Sequence, residues 1–304
     1  MRIAVAGGTG FLGSHIARAL KRSGHSIRIL SRSAPTSANG EVDQVEWTSC
    51  DVTDPGSLGG TLAGCDGVVQ AVQFPNHPVE VPRRGLTYDR YDRQGTENML
   101  AEAERTGVGR FFYLSGAGAD PASARSWYRA KGRAELAVRS SGLQWSILRP
   151  SWAYGPGDRA LNRIAAIARS SPVVPRLGSG VQLVQPVHAD DIGLAVQRIF
   201  DREPAWGTTF EIGGAVLSMN EIVHTLLDVM GVRRLVVPVP TLLAKLGTAP
   251  LALLPRPFMT PQGVEFAVQD GLVDTRSTRE LLDVDPIPLR EGLSRYLGPQ
   301  ARVT

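Results

Sequence analysis

The sequence predicts an α/β fold, a Rossmann-type doubly wound parallel sheet with a smaller C-terminal α/β portion for a substrate, and three observations predict it. Residues 2–6 (RIAVA) have the β-branched and small side chains of a short buried strand. They run straight into Gly7-Gly8-Thr9-Gly10-Phe11-Leu12-Gly13 and then into the amphipathic run His15-Ile16-Ala17-Arg18-Ala19-Leu20. This is the strand, tight turn and helix order that a dinucleotide site requires. Further strand-like runs at 26–30, 42–47, 66–72, 110–114 and 144–150 alternate with helical patterns. With 304 residues, 42% of them apolar and 20% charged, the chain can bury one nucleotide-binding core with a smaller portion wrapped against it. The division this suggests is a dinucleotide-binding unit over 1–150, with later strands returning from about 184–214, and a substrate portion with an apolar cap over 151–304.

The first element sets the cofactor chemistry. Gly7 permits the sharp turn, Gly10 has no side chain to hold a pyrophosphate away, and Gly13 lets the helix pack closely on the strand. The unpaired N–H groups of the first helical turn then face a diphosphate. Gly7, Thr9, Gly10, Phe11, Leu12 and Gly13 are therefore the first cofactor-binding candidates. Their Gly-x-x-Gly-x-x-Gly spacing differs from the Gly-x-Gly-x-x-Gly of long dehydrogenases. It resembles the extended and atypical short-chain dehydrogenase/reductases, in which the same turn holds NAD or NADP.

Charge and cysteine usage exclude several classes. The formal charge of +4 comes from scattered arginines with no basic stripe, which argues against a nucleic-acid surface. Cys50 and Cys65 are too few for a disulfide framework or a four-cysteine zinc site, and read as buried thiols of a reducing compartment. The chain starts directly on its first strand, so no signal peptide is expected. The apolar stretch 235–254 is interrupted by Pro238, Pro240 and Pro250 and carries Lys245, which argues against an integral membrane segment and leaves an exposed lid or a weak membrane contact open. The expectation is a cytoplasmic protein with a small-molecule substrate, and the resemblance implies a monomer or homodimer.

The second strand ends in Ser31-Arg32-Ser33, without the acidic residue that an NAD-preferring site places there to accept from the ribose. The Arg32 guanidinium, helped by a serine hydroxyl, suits a 2′-phosphate, so NADP is favoured, with NAD as the other possibility. The resemblance puts Asp51 and Val52 beside the adenine; Asp51 can equally cap the helix that starts near Asp54-Pro55. Gln70 and Ala71, ending the fourth strand, are expected over the nicotinamide ribose.

A helix over 91–105 contains Gly95-Thr96-Glu97-Asn98, similar to a family run in which the asparagine positions backbone and water near a catalytic lysine. Ser115, just past the strand 110–114, stands where the family places its catalytic serine or threonine. In the family a tyrosine moves the hydroxyl proton, and a lysine four residues later lowers its pKa and holds the nicotinamide ribose. Lys131 fits that lysine, but four residues before it stands Trp127; the tyrosine is Tyr128, three residues away. Three readings stay open: a displaced but working set of Ser115, Tyr128 and Lys131; hydride transfer with another proton source; and nucleotide binding without reductase chemistry. Trp127 is also a candidate to stack on a substrate ring.

Arg149-Pro150, followed by Trp152 and Tyr154, resembles the family segment that covers the nicotinamide and opens the substrate cleft. Pro150 joins the cofactor set, and Trp152 and Tyr154 the substrate set. His188-Ala189-Asp190-Asp191 matches another family run; it has no metal-ligand spacing and reads as a helix start with Asp190 or Asp191 as the cap, so no metal is expected. Ser218 and Glu221 form a capping-box signature, and 233–262 reads as a strand and short helices making an apolar cap. The resemblance is greatest to atypical, NAD-dependent epimerase/dehydratase-like members, in particular reductase-like proteins related to the nucleotide-binding accessory subunit of respiratory complex I. It implies an NADP(H)-dependent oxidoreductase moving hydride to or from a carbonyl, alcohol or enone carbon of a small apolar substrate. The alternative is a nucleotide-binding structural or redox-sensing protein that lacks the family tyrosine.

Overall fold

Strand β1 (Arg2–Ala6) alternates as a buried strand must: Ile3 and Val5 enter the core on one face of the sheet, Ala4 and Ala6 the core on the other. The computed structural model of the chain describes residues 1–33, 45–254 and 260–298. After β1 come α1 (Phe11–Arg22), β2 (Ser26–Ser31), β3 (Glu46–Ser49), α2 (Pro55–Leu58) and β4 (Gly67–Gln70). A π-helical segment (Asp89–Gln94) leads into α3 (Gly95–Thr106), then β5 (Arg110–Leu114), α4 (Ser126–Ser140) and β6 (Gln144–Pro150).

The C-terminal half contributes β7 (Trp152–Tyr154), α5 (Ala160–Ser170), β8 (Val173–Leu177), β9 (Leu183–Val184), β10 (Pro186–His188) and α6 (Ala189–Asp201). It continues with β11 (Thr208–Ile212), β12 (Leu217–Ser218), α7 (Met219–Val229), β13 (Leu235–Val239), α8 (Thr241–Thr248), α9 (Pro261–Ala267), α10 (Arg276–Leu282) and α11 (Leu289–Leu297).

Seven parallel strands make the central sheet in the order β11-β6-β5-β4-β1-β2-β3. The chain runs outward from β1 to β3 and then crosses back to β4 on the other side. The carboxyl ends of β1 and β4 therefore flank the crevice where the winding reverses, the place at which open α/β sheets take ligands. One face is covered by α1 and α6, with Ile16, Leu20, Ile192, Val196 and Ile199 on Ile3, Val5 and Phe112. The other is covered by α3 and α4, with Met99, Ala103, Ala134 and Val138 on Phe111, Tyr113 and Ile147. The neighbours Phe111 and Phe112 are both fully buried, one in each layer. A third core joins α5, α7 and α11, and β8 pairs with β13 as a separate parallel ribbon.

Three local details depart from the sequence reading. The third strand lies at Glu46–Ser49, and residues 42–44 of the expected strand fall outside the described residues. The helix expected over 91–105 opens instead with π-helical turns, which turn Tyr91 and Asp92 inward. Helix α6 begins at Ala189, and its cap is the His188 ring, whose Nδ1 accepts from the Asp190 N–H at 3.2 Å. Asp190 and Asp191 are drawn to other partners, His15 and the Ile287 N–H.

Candidate active site

The turn after β1 closes the crevice floor. Gly7 has φ +80°, and a Cβ there would lie 2.9 Å from the Ala71 carbonyl oxygen at the end of β4. A Cβ on Gly13 would collide with the Gly7 carbonyl oxygen. Only glycine lets α1 start this close to the loop. Gly10 is the N-cap of α1, with no side chain bonded across the helix end. The first-turn N–H groups are thus left to an anionic ligand, and the cradle fits a dinucleotide diphosphate. Phe11 and Leu12 turn away from the loop: Phe11 meets His15 edge-on at 5.8 Å, and Leu12 packs on the core below α1. Thr9 lies in the turn between Gly7 and Gly10.

The remaining cofactor candidates line the carboxyl edge. Ser31 Oγ donates to the Ser33 carbonyl at 2.6 Å and accepts from Trp47 Nε1 at 3.0 Å. Arg32 beside it is exposed, without an ion pair among the described residues. Asp51 Oδ1 accepts from the Thr53 N–H and hydroxyl at 2.9 and 2.8 Å, while the cap of α2 is Asp54, which accepts from the Gly56 N–H. Val52 is buried, and its carbonyl accepts from Asn98 Nδ2 at 2.8 Å, so Asn98 ties α3 to the loop after β3. Gln70 is fully buried, its amide 3.4 Å from Thr96 Oγ1. The Ala71 N–H donates to Ala6, and the carbonyl of buried Pro150 accepts from Ala117.

Ser115, Tyr128 and Lys131 each bond elsewhere. Ser115 Oγ donates to Glu135 Oε1 at 2.6 Å. The same buried carboxylate takes Arg149 through Nε and Nη2 at 2.8 and 2.6 Å, a bidentate pair, and Arg139 at 2.7 Å. Lys131 Nζ is 2.9 Å from Asp92 Oδ1, 3.0 Å from the Leu114 carbonyl oxygen, and 5.1 Å over the Tyr113 ring. Burial opposes its charge, but Asp92 and Tyr113 outweigh that and hold the ammonium above the ordinary lysine range. The Tyr128 hydroxyl donates to Gln269 Oε1 at 2.7 Å, and burial raises its pKa against the pull of Arg125.

Trp127, four residues before Lys131, lies over Gly116, where a Cβ would be 2.7 Å from its ring. It meets Tyr128 at 4.8 Å, Phe266 of α9 at 5.3 Å and His77 at 6.2 Å. Its indole N–H has no acceptor among the described residues. His77 stands edge-on to Phe266 at 4.8 Å, and its Nδ1 is 2.7 Å from the Tyr88 hydroxyl. Burial, then the charges of Lys131 and Arg159, push His77 down to about 4. The neutral ring and the Tyr88 hydroxyl share one hydrogen bond through Nδ1. His77, Phe266 and Gln269 escaped the sequence reading: a loop and the segment around α9 bring them to Trp127 and Tyr128 through tertiary contacts.

The two other aromatic candidates pack elsewhere. Tyr154 is fully buried, 5.2 Å from His188 and against Gly292 of α11, and Trp152 packs half-buried on the same C-terminal core. Within the cap, Phe266 on α9 faces the site while α8 packs outside it, joined by a Lys245–Glu265 ion pair at 2.6 Å. Among the described residues no group of histidine, cysteine and carboxylate side chains is arranged to hold a metal.

A family model described as NAD(P)H-binding matches residues 7–173. The chain is 27% identical over 301 residues, 93% of its length and 73% of the relative's, to the mitochondrial NADH dehydrogenase [ubiquinone] 1 alpha subcomplex subunit 9 of Arabidopsis thaliana. It is 28% identical to the ceramide reductase of Caulobacter vibrioides, covering 97% and 90% of the two chains. It is 30% identical to the 2-alkyl-3-oxoalkanoate reductase of Stenotrophomonas maltophilia, covering 77% of each. The same fold occurs in a UDP-glucose 4-epimerase of Thermotoga maritima, with a TM-score of 0.78 at 20% identity over 99% and 98% of the chains. The glycine cradle at the switch point, the seven-stranded parallel sheet and these matches lead to one conclusion: the chain belongs to the NAD(P)H-binding short-chain dehydrogenase/reductase family.

Proposed function

We propose that the protein is an NADP(H)-dependent reductase that moves hydride to or from the carbonyl carbon of a small apolar substrate, with Tyr128 supplying or taking the oxygen's proton. The observation that carries this reading is the wall of Trp127, Phe266 and His77 with the Tyr128 hydroxyl at its rim. Apolar rings orient an alkyl or aryl group, and one hydroxyl beside them meets the polar end. The cofactor, when bound, supplies the hydride. The N–H groups after Gly10 hold its diphosphate, and Arg32 with Ser31 suits a 2′-phosphate, since β2 ends without a carboxylate. Gln269 Oε1 now occupies the acceptor position of the Tyr128 hydroxyl. In reduction the substrate oxygen takes that position, receives the phenolic proton as the carbon receives hydride, and the phenol regains a proton from water. Lys131 keeps its bonds to Asp92 and Leu114 and fixes α4 against the π-helical segment. The relatives named as reductases of a ceramide and of a 2-alkyl-3-oxoalkanoate support an alkyl-bearing carbonyl compound as substrate.

A second reading, nucleotide binding without turnover, is favoured by the one observation that Lys131 is held by Asp92, Leu114 and the Tyr113 ring while the Tyr128 hydroxyl is bonded to Gln269. Consumption of NADPH with a panel of alkyl ketones and 3-oxo acids separates the two. Turnover on any of them supports the reductase; tight NADPH binding with none turned over sinks it in favour of the second reading.

A further inference from the structure

We infer that the outer layer of the cap is a docking surface for an anionic lipid bilayer. The helix α8 buries none of its residues. Leu242, Leu243 and Leu246 are 67%, 60% and 61% exposed, and their spacing puts them on one side of the helix. The ribbon that feeds α8 continues the apolar surface: Leu235 pairs with Val173 and Val237 with Pro175, and all four are exposed, while Val174 and Val236 turn inward. Scattered exposed leucines are ordinary, but a strand pair and the next helix exposing seven apolar residues in succession is a surface that expects a partner.

Charge selects the partner. Residues 229–254 contain no aspartate or glutamate, and they carry Arg233, Arg234 and Lys245, the last paired with Glu265 of α9. Arg233 is exposed beside Leu235, and Arg234 spends its Nε on the Ala168 carbonyl at 2.6 Å. An apolar face bordered by Arg233 and Arg234, whose nearest acid, Glu265, is neutralised by Lys245, matches the headgroup boundary of an anionic leaflet, where leucines enter the acyl edge and arginines meet phosphates. A symmetric contact with a second copy would set these arginines near each other with no acid of the same segment to offset them. No helix among the described residues is long and apolar enough to cross a membrane, so the contact is with one leaflet. The surface lies one helix away from Trp127, because α8 packs on α9 and Phe266 of α9 faces that ring.

The test is cosedimentation of the full chain with vesicles of phosphatidylcholine alone or of phosphatidylcholine with phosphatidylglycerol, at low and high salt. The expected result is binding to the anionic vesicles, reduced on the order of tenfold by Leu242→Ser with Leu246→Ser. Arg233→Gln should weaken binding about fivefold at low salt and little at high salt. Both variants alter exposed positions, and unchanged thermal melting and NADPH binding certify their fold. Absence of wild-type binding to anionic vesicles at low salt overturns the inference. So does equal binding by the serine variant. If sedimentation velocity instead shows a dimer that the serine variant dissociates, with no vesicle binding, the surface belongs to a second copy and the lipid assignment fails. None of these readouts depends on turnover, so failure here leaves the proposed reductase activity to be judged separately.

Discussion

Lys131 and Asp92 form an ion pair 2.9 Å apart whose side chains are 3% and 0% exposed. The π-helical turns before α3 bring the carboxylate inward, and α4 brings the ammonium to it. Both charges are out of water, so the pair holds only while both partners are present. Asp92→Asn should destabilise the protein by about 3–5 kcal/mol, because it leaves the ammonium buried without a counter-charge. A double variant, Asp92→Leu with Lys131→Met, should recover most of that loss. Chemical denaturation of the three proteins checks it, and a double variant no better than the single would refute the pairing as the cause.

The proton donor can be located by two substitutions. Tyr128→Phe should reduce turnover on an accepted carbonyl substrate by about 100-fold or more while leaving NADPH affinity unchanged. His77→Gln should leave turnover within a few-fold. The reverse pattern would move the proton to His77, with Tyr88 behind it.

Arg32→Ala should weaken NADPH on the order of ten- to a hundredfold, since it removes charge-assisted hydrogen bonds to the 2′-phosphate, and should leave NADH nearly untouched. Titration calorimetry with both cofactors decides. Equal weakening would show that the guanidinium does not read the ribose.

His77 gives the protein an acid-labile component. Its folded-state pKa lies near 4, below the ordinary 6.5, so between these values the unfolded chain binds the proton and the folded protein does not. Stability from this group is complete above pH 6.5 and is lost as pH falls towards 4. For a partly exposed ring the loss is about 2 kcal/mol. Asp191, raised to about 6 by burial, works in the opposite sense over an overlapping range, so the useful measurement is the difference between wild type and His77→Gln. The variant's melting temperature should fall less steeply with acid; parallel curves would sink the assignment.

The fold was legible because its evidence is short-range. A β-branched strand, a glycine turn and an amphipathic helix declare themselves within twenty residues, and the strands at 110–114 and 144–150 coincide with β5 and β6. The candidate site was legible only in part. The sequence placed Ser115 and Lys131 at family positions, but nothing local shows that Glu135 takes the serine or that Asp92, inside an apparently ordinary helical run, takes the lysine. Gln269 reaches Tyr128 from 141 positions away, and His77 finds Tyr88 across an irregular loop. Helical and strand periodicities do not extend to such contacts, which the packing of whole layers creates.

Gly13 sets a limit on what the opening motif can testify to. A side chain there would strike the Gly7 carbonyl before any nucleotide arrived, so α1 would have to move off β1, and with it the packing of Ile16 and Leu20 on Ile3 and Val5. The glycines are thus a requirement of assembly as much as of binding. A chain of this fold that abandoned catalysis would still have to keep them in order to fold. The record of chemistry kept or abandoned is to be sought on α4, where Trp127 stands four residues before Lys131 and Tyr128 three.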